Sequence, residues 1–538
     1  MVTDSIKIIS LSVLVAMGNN VGAAEQACKK RPNILFCIAD DASLLGAYGI
    51  DWVKTPAFDR VAKDGILFNN MFTCNAKSAP SRATIITGRN SWQLDEACNH
   101  WPQFPVKYKT FVEVLEENDY YVGITGKGWS PGIALDINGN KRELTGPRWD
   151  KCKFTKFKTK AISKLDYAAN FTDFLASWDR SKPFSFWYGC HEPHRGFEYG
   201  ASVRYGKRLE EIDSVPGYLP DNNIIRRDLL DYAIEVEHFD EHIGLMLQAL
   251  EEIGELDNTV VIITSDHGMS FPRIKGQAYF DSNHIPMAIM WKNGIKNPGR
   301  VEDDYFSTID IAPTILELAG VSGEKEGMAP ITGHSMVDVM KNKKKADIDR
   351  GFVMIGKERH DVGRPNDWGY PIRGIIRGGY LYLRNFEPER WPAGNPETGY
   401  SNVDASPSKT ETIQARRKSE TEYLWKLSFG KRLAEELYNI MDDSYCIYNL
   451  ADKQEYNSIK EKLRKEMFSK LVEQGDPRVF GFGEIFDIYS NVSPRNNYYT
   501  RWKNGEKINP VGAVLTDFEP WATGLGVSDT LLLVNPLK

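Results

Sequence analysis

The chain has 538 residues, with 67 basic and 73 acidic side chains and a formal net charge of −6. This length suits two domains or one large domain with a satellite. The near balance of charge argues against a general binder of nucleic acid or of a membrane surface, which would carry a basic excess. Aromatic residues make up 12% of the chain. Such abundance suits a protein that presents flat surfaces to sugars, although cores and interfaces use aromatic residues more often.

Residues 1–24 have the pattern of a secretory signal peptide. Lys7 provides the positive start, residues 8–17 form an apolar run, and residues 22–24 are the small side chains expected before a cleavage site. The apolar run is too short to span a bilayer, and no later segment is long enough. We therefore expect an exported protein, periplasmic or secreted, without a membrane span. The seven cysteines lack paired spacing, which excludes a zinc ribbon and leaves one or two disulfide bridges open.

Apolar runs without polar interruption predict buried strands in the first part of the chain. The runs cover residues 32–39, 66–72, 121–125, 184–189 and 259–264. Helices are predicted between them at residues 56–65, 111–118 and 224–253. Strands that alternate with helices imply right-handed crossovers. The sequence therefore predicts an α/β fold with a large, mostly parallel sheet that helices cover on both faces.

Residues 78–89 predict a short helix directly after the second strand. Ser78 can cap this helix, Pro80 suits its first turn, and Gly88 suits a left-handed turn at its end. The amides at its start favour an anion. A capped helix without further role explains each of these residues, but it does not explain Arg82 in the first turn.

Charged and histidine side chains follow four of the predicted strands at the point where each strand ends. They are Asp40 and Asp41, Lys127, His191 and His194, and Asp266 and His267. Ligands of open parallel sheets bind outside the carboxyl ends of the strands, so these side chains are expected to converge. Each also has an ordinary explanation as a loop cap, a solvated lysine or a polar turn residue. Adjacent buried acids, however, require a compensating positive charge.

After residue 341 the composition changes, and short strands with one amphipathic helix predict a smaller antiparallel α+β subdomain. The strands cover residues 352–355, 374–376 and 380–385, and the helix covers residues 455–472. The predicted organisation is a signal peptide (1–24), an N-terminal domain that carries the converging side chains (25–345), a C-terminal subdomain (346–480) and a C-terminal extension packed on the surface (481–538).

The helix at residues 78–89 also resembles the signature of the formylglycine-dependent sulfatases. Ser78, Pro80, Ser81, Arg82, Thr87 and Gly88 match every defined position of that signature. The resemblance runs from about Arg31 to near Glu473 and implies an alkaline-phosphatase-like fold. In this family the first signature residue is oxidised to formylglycine, whose hydrate is the nucleophile. A serine there implies a bacterial enzyme and a formylglycine-forming maturation enzyme as its partner.

Two further segments resemble the heparan N-sulfatase branch and its bacterial polysaccharide-sulfatase relatives. They are His191-Glu192-Pro193-His194-Arg195 and the run from Ser265 to Pro272. The resemblance implies hydrolysis of sulfate from a sulfated carbohydrate. It leaves two alternatives open: a phosphoryl-transfer hydrolase of the alkaline phosphatase superfamily that uses unmodified Ser78, and a catalytically inactive sugar-binding relative.

The resemblance also implies a role for each residue of the site. The implied metal ligands are Asp40, Asp41, Ser78, Asp266 and His267, with Ca²⁺ favoured and Mg²⁺ as the alternative. Lys127 and Lys275 would bind sulfate, Arg82 would steady the nucleophile, His194 would be the general acid, and His191 would orient neighbours or contact substrate. The chain departs from many sulfatases in having Trp129 two residues after the lysine, where they have a histidine.

A charged segment of the predicted smaller subdomain is the candidate for substrate choice. It supplies Glu358, Arg359, His360, Arg364, Tyr370 and Arg373. Guanidinium groups, a histidine and aromatic rings suit the hydroxyls and carboxylates of a sugar. A charged surface loop is an equally good explanation of this composition.

Overall fold

The computed structural model describes residues 31–506 and Asp517, so the predicted signal peptide and Cys28 lie outside the described residues. The strands are β1 (Asn33–Ala39), β2 (Ile66–Phe72), β3 (Gln103–Phe104), β4 (Tyr121–Gly126), β5 (Ile133–Ala134), β6 (Phe184–Gly189), β7 (Thr259–Ser265), β8 (His284–Ile285), β9 (Met287–Met290), β10 (Arg300–Ser307), β11 (Phe352–Lys357), β12 (Ile372–Arg377), β13 (Tyr380–Asn385) and β14 (Glu435–Asn439). The helices are α1 (Pro56–Asp64), α2 (Ser78–Thr87), α3 (Phe111–Glu117), α4 (Tyr167–Ser177), α5 (Ala201–Arg204), α6 (Asn223–Glu252), α7 (Phe280–Asn283), α8 (Ile311–Ala319), α9 (Val337–Met340), α10 (Pro407–Gln414), α11 (Glu422–Phe429), α12 (Asn457–Glu473), α13 (Ile485–Ile488) and α14 (Tyr498–Lys503).

The large sheet has the strand order β10-β2-β9-β7-β1-β6-β4, with β8 paired to β2. Strand β1 pairs in parallel with both β6 and β7, and β4 and β10 extend the parallel pairing at the two sides. Strand β9 runs antiparallel to β2 and β7. The predicted α/β fold with a mostly parallel sheet is therefore confirmed.

Side chains of β1 enter a hydrophobic core on each face of this sheet. Leu35, Cys37 and Ala39 pack with α1, α4 and α6 on one face. The alternate residues, among them Ile34 and Phe36, pack with α2, α3 and α8 on the other. Burial on both faces explains why the central strands β1, β6 and β7 are largely apolar runs, since every residue of these three strands is buried.

The smaller sheet is antiparallel, with the order β11-β12-β13-β14. Ile375 lies opposite both Met354 and Tyr382, and these side chains form one core with Leu463 and Met467 of α12. The predicted antiparallel sheet and its helix are thus confirmed. The domain boundaries stay a prediction, because the described residues from Pro32 onward form one compact unit.

The described part of the C-terminal extension packs against the segment that follows β11. The Arg359 guanidinium donates to the carbonyls of Tyr489 and Ser490 at 2.8 and 2.7 Å. The backbone N–H of Asn497 donates to Asp367 Oδ2 at 2.7 Å. The extension is thereby fixed to the smaller sheet's side of the molecule.

Two further expectations concern membranes and disulfides. Among the helices in the described ranges, none combines the length and apolarity that a bilayer crossing requires. The six cysteines that the structure describes are all free thiols.

Candidate active site

Helix α2 delivers Ser78 to the carboxyl edge of the large sheet. Lys77, in an extended conformation, is the residue that precedes the helix, and Ser78 is its first residue. The expectation that Ser78 caps the helix is therefore wrong. The Ser78 hydroxyl instead donates to Asp40 Oδ1 at 2.9 Å and lies 3.3 Å from His267 Nε2. Gly88 ends the helix with φ of 69°, as predicted.

Asp40, Asp41, Asp266 and His267 come together beside Ser78. One ligand atom from each lies within 4.8 Å of the others, and all four residues are buried. Asp41 Oδ1 lies 3.1 Å from His267 Nε2 but accepts no hydrogen bond from the described residues, and Asp41 has a left-handed backbone with φ of 77°, which is strained for a residue with a side chain. Three buried carboxylates need positive charge. Their oxygens, with one imidazole, fit a hard divalent cation.

Arg82 joins helix α2 to the ends of three strands. Its Nε donates to Asp266 Oδ2 at 2.9 Å, and one terminal nitrogen donates to the Lys127 carbonyl at 2.9 Å. The other terminal nitrogen lies 3.4 Å from Asp40 Oδ1. Burial alone would raise the pKa of Asp40, but Lys127 and Arg82 hold that pKa well below its usual range. Asp40 is consequently an anion, as a metal ligand must be.

Lys127 and Lys275 lie on either side of the carboxylates. Lys127 Nζ lies 2.5 Å from Asp40 Oδ2. Lys275 Nζ lies 2.7 Å from Asp41 Oδ2 and 2.6 Å from Asp404 Oδ2. Burial opposes the charge on Lys275, but Asp404 and Asp41 raise its pKa above the ordinary value. Both ammonium groups line the cavity described below, where an anion would meet them.

The loop after β6 places His191 and His194 on the same cavity. Glu192 fixes this loop by accepting from the Ser163 backbone at 2.6 Å and from the Tyr167 hydroxyl at 2.9 Å. His194 Nδ1 lies 2.7 Å from the Arg195 carbonyl. A carbonyl only accepts, so Nδ1 carries a proton and Nε2 is left to exchange one with a ligand. The surrounding protein lowers the pKa of His191 by desolvation.

Trp129, the departure from the sulfatase pattern, does not reach the cavity. Its Nε1 donates to the Ala79 carbonyl at 3.1 Å, and its ring meets the Phe104 ring edge-on. The side chain therefore supports helix α2. Although Trp129 replaces the usual histidine, the cavity contains the imidazole of His191.

The cavity has a volume of about 530 Å³, and its floor is the site around Ser78. Several wall residues were not identified from the sequence, among them Lys77, His100, Asp404 and Arg495. They come from separate loops, and loops give no periodic signal that could have assigned them. Only the position of Lys77 directly before Ser78 could have indicated its place.

The six residues predicted to contact substrate are not among those that line this cavity. Glu358 and Arg373 form a buried ion pair at 2.8 Å. His360 Nε2 lies 2.5 Å from Asn75 Oδ1, and Arg364 donates to the Trp368 carbonyl at 2.7 Å. Arg359 holds the C-terminal extension as described above, and Tyr370 is fully buried. Asp361, within the same segment, is the residue that does reach the cavity.

The fold and the site define a class of enzyme. A mostly parallel sheet presents at its carboxyl edge a buried serine, a carboxylate–imidazole cluster and two lysines, an arrangement that suits the hydrolysis of an anionic ester. Residues 32–321 match the sulfatase family, and the chain belongs to that family. Its activity is accordingly that of a sulfuric ester hydrolase.

Individual relatives are similar over most of their length. An "Ulvan-active sulfatase" of Formosa agariphila is 25% identical over 529 residues, covering 88% of this chain and 80% of the relative. The human "N-sulphoglucosamine sulphohydrolase" is 25% identical over 498 residues, covering 84% and 92%. The solved structure of "BT4656 in complex with its substrate D-Glucosamine-2-N, 6-O-disulfate" has a TM-score of 0.56 at 20% identity, covering 83% and 99%. This last likeness concerns the fold.

Proposed function

We propose that the protein is an exported enzyme, periplasmic or secreted, that removes sulfate from a sulfated carbohydrate after Ser78 has been oxidised to formylglycine. The observation that carries this proposal is the Ser78 hydroxyl, 2.9 Å from Asp40 Oδ1 and 3.3 Å from His267 Nε2 at the floor of a cavity. Lys127 and Lys275 line that cavity as cations. Relatives named for ulvan and for N-sulphoglucosamine support a sulfated glycan as substrate.

The residues present fit a divalent cation, for which we favour Ca²⁺ with Mg²⁺ as the alternative. Asp40, Asp41, Asp266 and His267 would hold it beside Ser78, and Asp41 Oδ1, which accepts no hydrogen bond from the described residues, would offer a lone pair to it. When bound, the cation supplies positive charge that polarises the sulfate and orients the nucleophile. Formylglycine at position 78 supplies a hydrated aldehyde as that nucleophile.

The other side chains bind the sulfate and manage the proton of the leaving group. Lys127 and Lys275 offset the negative charge of the sulfate and fix its orientation. Arg82 holds the position of helix α2 relative to Asp40 and Asp266. His194 donates the proton that the departing sugar oxygen requires, since its Nδ1 is bound to a carbonyl and its Nε2 is left for the ligand.

The proposal is tested on the peptide that contains Ser78. The protein is expressed with and without a formylglycine-forming maturation enzyme, so that one sequence serves as its own control. Mass spectrometry should show loss of two hydrogens, about two mass units, only in the matured sample. Ion chromatography should detect sulfate released from sulfated glycans by that sample alone. Equal sulfate release by protein that carries unmodified serine would contradict the proposal.

The phosphoryl-transfer alternative would need further cation ligands near the site. Asp41, His194 and Asp404 form such a group, with ligand atoms within 4.8 Å of one another. The Lys275 ammonium, however, already lies between Asp41 and Asp404, at 2.7 and 2.6 Å. Because the Lys275 ammonium already supplies the positive charge that a second cation would bring, its position favours a sulfatase centre with one cation. Faster hydrolysis of 4-nitrophenyl phosphate than of 4-nitrophenyl sulfate would reverse the preference.

The inactive sugar-binding alternative predicts loss of reacting groups. Ser78, Arg82, Lys127, His194 and Lys275 are all in place around the cavity floor or support it. This complete set favours an active enzyme, and the same sulfate-release assay separates the two.

A further inference from the structure

One wall of the cavity lies beyond the groups assigned to the sulfate. It is formed by Lys77, His100, Trp101, Asp361 and Arg495. Nothing in the proposed chemistry at Ser78 uses these side chains. A cavity of about 530 Å³ exceeds the volume of one sulfate, so this wall faces the remainder of the substrate.

Asp361 neutralises the lysine of this wall. It lies 2.5 Å from Lys77 Nζ and 3.2 Å from His100 Nδ1. Burial lowers the pKa of His100 to about 4, so this imidazole is neutral near pH 7. Lys77 and Asp361 therefore cancel, and neither offers a net charge to a ligand.

Arg495 is the second cation of this wall. Burial raises the pKa of Asp361, but Lys77, His100 and, more weakly, Arg495 hold that pKa well below its usual range. Arg495 is half-buried, and its side chain forms no hydrogen bond or ion pair with any residue that the structure describes, so the wall keeps a net positive charge. By contrast, the neighbouring Arg195 of the cavity is paired with Asp228 at 2.5 Å and donates to the Ser270 carbonyl. An unpaired guanidinium in a concave site is suited to a carboxylate or sulfate, which it can bind through two parallel hydrogen bonds.

The backbone around Arg495 is held in place on both sides. The Val492 N–H donates to the Trp101 carbonyl at 3.0 Å. Asp367 accepts from the Asn491 side chain at 3.0 Å and from the Asn497 N–H at 2.7 Å. Because the loop is already ordered, binding through Arg495 sacrifices little backbone freedom.

Trp101 provides an apolar surface beside this cation. It lines the cavity, and its ring meets His100 edge-on with centroids 6.2 Å apart. Its backbone is left-handed, with φ of 58°, and such strain in a residue with a large side chain is typical of functional positions. An indole offers a sugar ring a flat apolar face with few rotatable bonds.

We propose that Trp101 and Arg495 select the substrate: the sugar ring packs on Trp101, and the Arg495 guanidinium binds a second anionic group of the glycan, a carboxylate or another sulfate. This inference rests on the proposed sulfatase function and names the substrate class as glycans that carry a further negative charge beside the sulfate that is removed.

The test compares Arg495→Gln with Arg495→Lys and with Lys503→Gln, which removes an exposed charge from the same extension. The probes are 4-nitrophenyl sulfate, monosulfated neutral hexoses, a disulfated glucosamine and a sulfated uronic acid. Arg495→Gln should raise KM at least about tenfold for the sugar with the second anion, with little change in kcat and none on 4-nitrophenyl sulfate. The KM of Arg495→Lys should lie between those of wild type and Arg495→Gln, and Lys503→Gln should have the KM of wild type. Whether the disulfated sugar or the uronic acid responds identifies the anion.

Two results would overturn the inference: an unchanged KM for both doubly charged sugars, or an equal loss on them and on 4-nitrophenyl sulfate. A binding measurement tests the role of Arg495 independently of the proposed sulfatase function. Glucuronate and glucosamine 6-sulfate are each added to the full-length protein, and the unfolding temperature is followed. At least one should stabilise wild type and Lys503→Gln but not Arg495→Gln, even if no sulfate is released. Stabilisation that survives in Arg495→Gln would refute the role of this arginine.

Discussion

Arg373, one of the residues first expected to contact substrate, should instead determine stability. It lies in β12 with its side chain fully buried. Its guanidinium binds Asp476 at 2.7 and 3.1 Å and Glu358 at 2.8 Å. Burial opposes this charge, yet Asp476 and Glu358 raise the pKa of Arg373 above its ordinary value. The change we propose is Arg373→Met, which keeps an unbranched apolar side chain and removes the guanidinium charge.

The expected loss of stability follows from the two buried carboxylates that lose Arg373 as a partner. Asp476 loses its charged partner while remaining buried, and Glu358 keeps only Arg478, which donates to it from Nε at 2.6 Å. Removing one partner of a buried ion pair typically costs about 3–5 kcal/mol of unfolding free energy. The retained Arg478 places the expected loss near the lower end, about 3 kcal/mol.

The matched control is Arg377→Met, four residues further along β12. Its side chain is 26% exposed, and its partners are Glu466, at 2.8 Å and 23% exposed, and Asp349, 58% exposed. Because water reaches all three groups, we expect these pairs to contribute about 1 kcal/mol, the upper end for surface ion pairs. Urea unfolding followed by tryptophan fluorescence measures both variants, and 4-nitrophenyl sulfate turnover is measured on the folded fraction. Equal midpoints for the two variants would refute this reasoning. So would a stable Arg373→Met that has lost only its action on glycans, since that result would return Arg373 to substrate binding.

Three further predictions concern the proton donor, the cation and pH. His194→Ala should lower kcat by about 10²–10⁴ for sulfated sugars but little for 4-nitrophenyl sulfate, whose leaving group hardly needs a proton; equal losses on both would remove His194 from the acid role. Chelation should abolish activity and lower the unfolding temperature, with Ca²⁺ or Mg²⁺ restoring both; activity that persists in protein shown to be metal-free would exclude a required cation. Burial raises the pKa of Glu235 to about 8, against an unfolded value near 4.5, with Glu192 adding repulsion and Thr159 opposing the shift. The folded state therefore holds this proton more tightly, and stability should fall, by up to a few kcal/mol, as pH rises from about 4.5 to 8. Glu235→Gln should flatten that slope, and unchanged slopes in urea titrations across this range would contradict the assignment.

The strands and the floor of the site could be predicted because one physical pattern marks both. A strand buried on two faces must be apolar along its whole length, so its end is visible as the first charged residue, as at Asp40 after β1. Parallel strands then bring such ends to one edge. This reasoning, with the resemblance to the sulfatases, located Lys127 and His267 as well as the aspartates.

The detail at Ser78 could not be predicted by local rules. Serine before a helix normally caps it, but here Asp40 Oδ1 accepts the Ser78 hydroxyl at 2.9 Å from 38 residues away. A distant carboxylate competes with the local amide, and no sequence window contains both.

The wall of the cavity could not be predicted for a related reason. Arg359 and Arg495 are both arginines in irregular segments. Arg359 is 2% exposed and bonded to backbone carbonyls, whereas Arg495 lines the cavity and forms no side-chain hydrogen bond or ion pair within the described ranges. The local sequence around an arginine does not distinguish these two environments. Only the tertiary arrangement of the extension decides which arginine meets a ligand.

The order of these parts along the chain has an evolutionary consequence. The groups assigned to sulfate chemistry, from Asp40 to Lys275, lie within residues 32–321, the part that matches the family. Asp361, Asp404 and Arg495 reach the same cavity from later in the chain. Insertions, deletions and recombination in the last third can therefore change the part of the cavity wall that contains Arg495, while Trp101 and the groups assigned to sulfate chemistry are retained. Gene duplication followed by variation at the 3′ end can therefore produce enzymes with different glycan specificities. Homologues that share the first three hundred residues need not act on the same glycan.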